Sequence, residues 1–219
     1  MTGASSPPAE LGRRGARDWW LRTLLVLQRP RPVFVALRDE SRADESDRAE
    51  PILLVVWLTG IAVILFGLGT YLDDGTRDGL DLAVWAFLGG GIYGFFGYFV
   101  FGALLHAGAK AFGSQGSYRR SRQVLAFALV PIALSLVLWP VKLSLYGEDW
   151  FRTGGGDTGA GGVVFDVLTY GFFAWALALV VIGVRAVHGW PWTRAAAATT
   201  FAAVAPAVVV LLLATLRAL

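Results

Sequence analysis

The sequence predicts an all-α fold, a polytopic membrane protein in which a five-helix transmembrane bundle is preceded by a short amphipathic cytoplasmic helix. Three observations predict it. Hydrophobic residues make up 56% of the chain and charged residues 16%, against about 45–50% and roughly 25% in a soluble domain. A chain of 219 residues cannot hide that much apolar surface from water in a core of its own. The apolar residues are also gathered into five long blocks, and the cationic residues are concentrated in alternate connections between them. A charge at the bilayer centre costs about 2.5–3.5 kcal/mol on the insertion scale, so the charge-free cores of these blocks mark them as spans.

Residues 1–17 are small, polar and proline-containing, and are expected to form a disordered cytoplasmic tail. Residues 18–50 read as an amphipathic interfacial segment followed by a charged connector. Trp20, Leu24 and Leu27 recur at helical spacing, as do Leu21 and Leu25, while Arg22 and Gln28 lie elsewhere on the wheel. Pro30 and Pro32 break the run, and Phe34 and Leu37 then share one face. A short helix rich in Trp and Arg suits the headgroup region. It suits equally a position packed on the cytoplasmic ends of the spans, and the two are compatible.

A span needs about 20 predominantly apolar residues. The five predicted spans are about 51–72, 82–109, 123–141, 163–185 and 195–217, the last two with charge-free cores at 167–184 and 195–216. Fifteen of the 19 Lys and Arg residues fall before Pro51, between the second and third spans, or between the charge-free cores of the fourth and fifth, and the other four, Arg77, Lys142, Arg152 and Arg217, fall on the opposite side. The positive-inside rule then places the N-terminus in the cytoplasm and the C-terminus outside, in the cell membrane. Trp139, Trp150, Trp190 and Trp192 fall near the predicted interfaces.

Few side chains suggest chemistry. Gly90, Gly94 and Gly102 share one face of the second span, where a second helix could approach closely, either within the bundle or as a dimer seam. His106 and Lys110 stand one turn apart at its inner end, able to hold a lipid phosphate or relay a proton, or else simply interfacial. Lys142, at the outer end of the third span, reads as a snorkelling lysine. Asp73, Asp74, Asp78 and Asp81 form an acidic loop without the spacing of an EF-hand. Gly154–Gly159 formally matches G-x-G-x-x-G but lies in a loop between two spans, where no strand-turn-helix unit surrounds it. There is no cysteine, and His106 and His188 assemble into no catalytic set. No cofactor, metal or nucleic acid is expected.

Four segments together resemble the Yip (Ypt-interacting protein) domain family, five-span membrane proteins of eukaryotic secretory membranes and many bacteria. Arg29–Leu37 is similar to the proline-rich start of the family's bacterial-type members, and Lys110–Tyr118 to their glycine-rich cytoplasmic turn ending in an aromatic. Ala126–Pro131 resembles the Gly-Tyr-x-x-x-Pro signature, with Ala and Phe in place of Gly and Tyr, and Ile182–Gly189 resembles the connector before the last span. The resemblance runs from about Trp19 to the C-terminus and makes 51–219 a Yip-like transmembrane domain. Pro131 would kink the third span and turn backbone polar groups toward a partner helix. The eukaryotic Asp-Leu-x-Gly-Pro element is reduced to Glu50–Pro51, so the small-GTPase partner of eukaryotic relatives does not carry over.

The resemblance implies a non-enzymatic membrane adaptor or scaffold that organises membrane or partner proteins and assembles with itself or other membrane proteins. The competing reading is a small transporter or channel component, which would normally carry ionisable groups near the midplane. The candidate lipid or partner contacts are Trp19, Trp20, Arg22, His106, Lys110, Arg119, Arg120 and Arg122, and the candidate packing residues are Gly90, Gly94, Gly102 and Pro131.

Overall fold

The computed structural model describes residues 21, 23–38, 49–73, 75 and 77–217. Among these there are helices and no strand. A helical turn and a half over 23–28 leads into α1 (Pro30–Ala36), followed by α2 (Ala49–Gly67) and α3 (Gly79–Ala111). The next stretch is broken into α4 (Tyr118–Ala128), α5 (Val130–Leu134), a tight turn at Ser135–Val137, α6 (Leu138–Tyr146) and a second tight turn at Gly147–Phe151. The chain ends in α7 (Ala160–His188) and α8 (Trp192–Arg217). Three stretches, Gly79–Ala111, Tyr118–Phe151 and Ala160–His188, are long and apolar enough to cross a membrane by length and composition.

The outside of these helices is as apolar as a core. Leu80, Ile92, Phe96, Phe101, Val137 and Val167 are each between 61 and 72% exposed. Side chains of that size do not cover a face in water, whereas hydrocarbon tolerates them without cost. Inside, three apolar clusters follow one another along the bundle. Phe34, Val124, Leu179, Val184 and Val187 belong to the first, Ala62, Ile132 and Ala176 to the second, and Leu72, Leu82, Trp139, Trp150 and Phe151 to the third.

Helix α3 is the hub, packing on α2, α4 and α8, while α7 packs on α1, α4, α5 and α8. Its glycines explain the closeness. A Cβ on Gly90 would sit 2.6 Å from the Ile61 nitrogen, and one on Gly94 would sit 2.5 Å from the Val56 carbonyl oxygen, so both face α2. Gly60 of α2 meets them in return, since a Cβ there would overlap the Gly90 carbonyl. Gly102 serves a different neighbour: the stem of Arg122 crosses it, 2.5 Å from where a Cβ would stand. Gly108 lies against Ala198 and Ala202 of α8. The face of three glycines read from the sequence is therefore divided between two partners.

Several boundaries differ from the expected ones. Helix α2 stops at Gly67, five residues before Leu72, because the chain turns so that the Leu72 N–H donates to the Phe151 carbonyl at 3.1 Å. The third stretch runs to Phe151 rather than Val141. Its helix breaks at Leu129, just ahead of the buried Pro131, and the Leu129 carbonyl accepts from the Thr59 hydroxyl of α2 at 3.4 Å.

Lys142 does not snorkel. It is 2% exposed, with its ammonium 4.1 Å from the Trp150 ring centre, 4.7 Å from Trp139 and 5.7 Å from Phe165. The turn at Gly147–Phe151 folds Trp150 back over it, and Trp139 stacks on Phe151 at 5.5 Å. Ring faces attract a cation most strongly when water is excluded. Trp139 and Trp150 are thus buried, holding the loop closed.

Candidate functional site

A cluster of basic and polar side chains, Ser114, Ser117, Arg120, Arg122, Arg185, His188 and Arg194, lies at the end of the bundle where α3 finishes, α4 begins, α7 finishes and α8 begins. Gly113 (φ +81°) and Gly189 (φ +68°) take left-handed backbone that lets the chain reverse after α3 and α7. Ser117 caps α4 by accepting from the Arg120 N–H at 3.3 Å.

A hydrogen-bond chain ties the two reversals together. His188 Nδ1 lies 2.9 Å from the Val184 carbonyl, which can only accept, so Nδ1 carries the ring proton. Nε2 of the neutral ring then accepts, and the Ser114 hydroxyl, 2.6 Å away, donates to it. The same hydroxyl oxygen accepts from the Gly116 N–H at 2.9 Å. Every group in the chain is satisfied. The His188 ring stacks on Trp190 at 4.5 Å, and Arg194 covers the Trp190 ring at 4.3 Å.

Three arginines close the helix ends. A helix leaves its last carbonyls without intrahelical partners, and that end carries negative partial charge. At α7 the Ala186 carbonyl accepts from Arg38 Nε at 2.6 Å. At α3 the Phe112 carbonyl accepts from Arg194, through Nε at 3.0 Å and through Nη2. After α1 the Arg38 carbonyl accepts from Arg120 Nη2 at 3.1 Å. Each guanidinium comes from a different element, so the caps tie α7 and α4 to the end of α1 and α8 to the end of α3, and the Ser114–His188 bond joins these two sets into one block.

Arg122 is placed differently. Its guanidinium lies 4.8 Å from the Tyr118 ring centre, 4.9 Å from Phe99 and 5.7 Å from Tyr98. Its Nε is buried without a hydrogen-bond partner, as is His106 Nδ1. His106 meets Tyr118 edge-on at 5.9 Å, and the Tyr118 hydroxyl donates to the Phe99 carbonyl at 2.9 Å. Arg185 Nε is also buried without a hydrogen bond, beneath Trp192 at 4.5 Å.

The structure thus brings His106 and Arg122 together around Tyr118, and leaves Lys110 exposed in the last turn of α3. Arg119 is half-buried near the start of α4, and Arg120 belongs to the capping set. Trp19, Trp20 and Arg22 lie outside the described residues. Sequence reasoning missed Ser114, Arg38, Arg194 and the role of His188. The signal that could have found Ser114 and His188 was the resemblance itself: Phe34, Ser114 and His188 come from three of the four family-like segments, and a Cβ on Gly183 would lie 3.1 Å from Phe34, whereas Arg38 and Arg194 fall outside those segments.

At the opposite end, the Asp73 carboxylate accepts from the Thr153 N–H at 2.7 Å and from its hydroxyl. These bonds hold the Asp73 carboxyl below the ordinary value of 3.8. Asp78 caps α3 by accepting from the Asp81 N–H at 2.9 Å. Among the described residues no group of three or more His, Asp or Glu could hold a metal ion. Beside the Arg122 site a cavity of about 560 Å³ opens between α2, α3, α4, α5, α7 and α8, lined by Val56, Tyr98, Leu105, Leu125, Val180 and Ala202 among others.

No curated protein and no solved structure matches this chain. Residues 24–214 match the Yip1 domain. That match takes in every described helix from α1 to α7 and nearly all of α8, including the buried basic end, and the chain belongs to the Yip1 domain family.

Proposed function

We propose that this chain is a five-span, non-enzymatic adaptor of the cell membrane that presents its basic end to other membrane proteins. The apolar Ile52–Gly67 segment of α2 and the 26 residues of α8 join the three long apolar stretches to give the five crossings. The distribution of Lys and Arg supports an N-terminus in the cytoplasm, a basic cytoplasmic end and a C-terminus outside.

The observation that carries the adaptor reading is the joining of α1, α3, α4, α7 and α8 at one end by Arg38, Arg120 and Arg194 together with the Ser114–His188 bond. A binding surface gains affinity when its parts are held in place before the partner arrives. Lys110 and Arg119 stand on this rigid end, together with α1, and are the contacts proposed for anionic lipid or a partner. Partners are expected to be multispan proteins, including further copies of this chain.

Photocrosslinking in cells tests the reading. Probes at Lys110 and Arg119 are expected to give discrete protein adducts, whereas probes at Leu145 and Arg152 at the other end give none. Equal labelling from both ends, or none from the basic end, refutes it. A C-terminal reporter reachable only from the cytosol refutes the threading.

A further inference from the structure

We infer that the cavity between α2, α3, α4, α5, α7 and α8 holds one acyl chain of an anionic phospholipid, whose phosphate binds Arg122 and His106. The cavity volume of about 560 Å³ falls in the roughly 300–1,000 Å³ range of small-molecule sites. Its wall is almost wholly apolar, and its threonines are already engaged. The Thr59 hydroxyl donates to the Leu129 carbonyl and the Thr199 hydroxyl to the Ala195 carbonyl. An occupant that needs hydrogen bonds would find few, and an alkyl tail needs none.

The entrance points the same way. Val63, Tyr93, Phe101 and Leu177 line the cavity and are exposed on the outer surface of the bundle. In a bilayer that surface meets lipid, so a tail enters sideways without crossing water.

Charge complementarity selects the headgroup. Tyr98 lines the cavity and also faces the Arg122 guanidinium. Leu125 and Leu105 line it too, the first one turn beyond Arg122 and the second adjacent to His106. Arg122 pairs with no carboxylate among the described residues, and its buried Nε donates to nothing. His106 Nδ1 is likewise buried and unmatched. A cation at the edge of the hydrocarbon, boxed by Tyr98, Phe99 and Tyr118, is costly unless an anion completes it. A phosphate diester offers acceptor oxygens suited to a guanidinium fork.

The inference rests on the membrane-spanning reading, and its test is separable from the adaptor role because it uses the purified full chain alone. The chain in mild detergent is stripped of lipid and titrated with phosphatidylglycerol, diacylglycerol of identical tails, glycerol phosphate and inorganic phosphate, with bound copies counted by native mass spectrometry. One phosphatidylglycerol is expected to bind roughly ten- to a hundredfold more tightly than diacylglycerol, which has the tails and no phosphate, the range of a charge-assisted hydrogen bond. Arg122→Gln is expected to abolish the preference and Arg122→Lys to restore part of it. Ala203→Phe, which fills the exposed side of the cavity, is expected to weaken both lipids alike. Arg152→Gln, at the other end, is expected to change nothing. Equal binding of the two lipids overturns the proposal. So does displacement by inorganic or glycerol phosphate at matched concentration, or a preference that survives Arg122→Gln in a variant with an unchanged melting profile.

Discussion

Replacing Gly94 by alanine sets a methyl group 2.5 Å from the Val56 carbonyl oxygen. Ordinary contact begins at 3.4 Å, so α2 and α3 must part by about 0.9 Å at that point. The obstacle is backbone, which cannot swing aside as a side chain would. Overpacking of this kind costs about 1–3 kcal/mol, and the gain from removing a mid-helix glycine offsets about 0.5–1 kcal/mol of it. The expected net loss is about 0–2.5 kcal/mol, centred near 1 kcal/mol. Gly171 supplies the internal control. It also lies within a long helix, α7, and nothing stands within 4 Å of its added Cβ. Gly171→Ala is therefore expected to be neutral or to stabilise by up to about 1 kcal/mol. Reversible unfolding in mixed micelles, followed by tryptophan fluorescence, compares the two. If Gly94→Ala unfolds no earlier than Gly171→Ala, the close approach of α2 and α3 is wrong.

Three further outcomes are expected. Ser114→Ala removes the donor to His188 and the acceptor of the Gly116 N–H; it should cost about 1–3 kcal/mol and speed amide exchange at Gly116. Phe34→Ala empties a site that is 0% exposed between Gly183 and Val124; it should cost about 3–5 kcal/mol and open residues 23–38 to limited proteolysis while the later helices stay protected. Asp73 contributes through a lowered pKa, so its stabilisation is complete above the unfolded value of 3.8 and is lost as pH falls through the lower folded value. Asp73→Asn should flatten that part of the acid-unfolding curve, and an unchanged curve would assign the acid sensitivity elsewhere.

The elements that sequence reading recovered are those with local causes. Charge-free runs mark the long apolar stretches because each lost charge is a separate penalty. Pro131 marks a break because the missing N–H acts on its own helix. Gly90 and Gly94 stood out because their spacing repeats on one helix, whereas Gly60 stood alone and was passed over, although it shares the same contact. What could not be read depends on pairs far apart in the chain. Arg38 and Ala186 are 148 residues apart, Arg194 and Phe112 are 82, and Ser114 and His188 are 74. An arginine that caps a distant helix has the same local sequence as one that faces a phosphate, so Arg120 and Arg122 looked alike and only folding separates them. Lys142 misled for a related reason. Its neighbours Trp139 and Pro140 suggested an interface, and the ring that encloses it, Trp150, arrives from the next turn.

The division of labour along α3 also fixes its length. Each residue advances a helix by about 100°, so one residue inserted between Gly94 and Gly102 would rotate everything downstream by that angle. Gly90 and Gly94 would keep their seat while Gly102 and Gly108 turned bulky neighbours toward Arg122 and Ala198. Such a frame-preserving insertion, harmless to hydrophobicity and to helix propensity, should be tolerated in the connection around Gly75 and rejected here. The middle of this helix is a ruler as much as a wall.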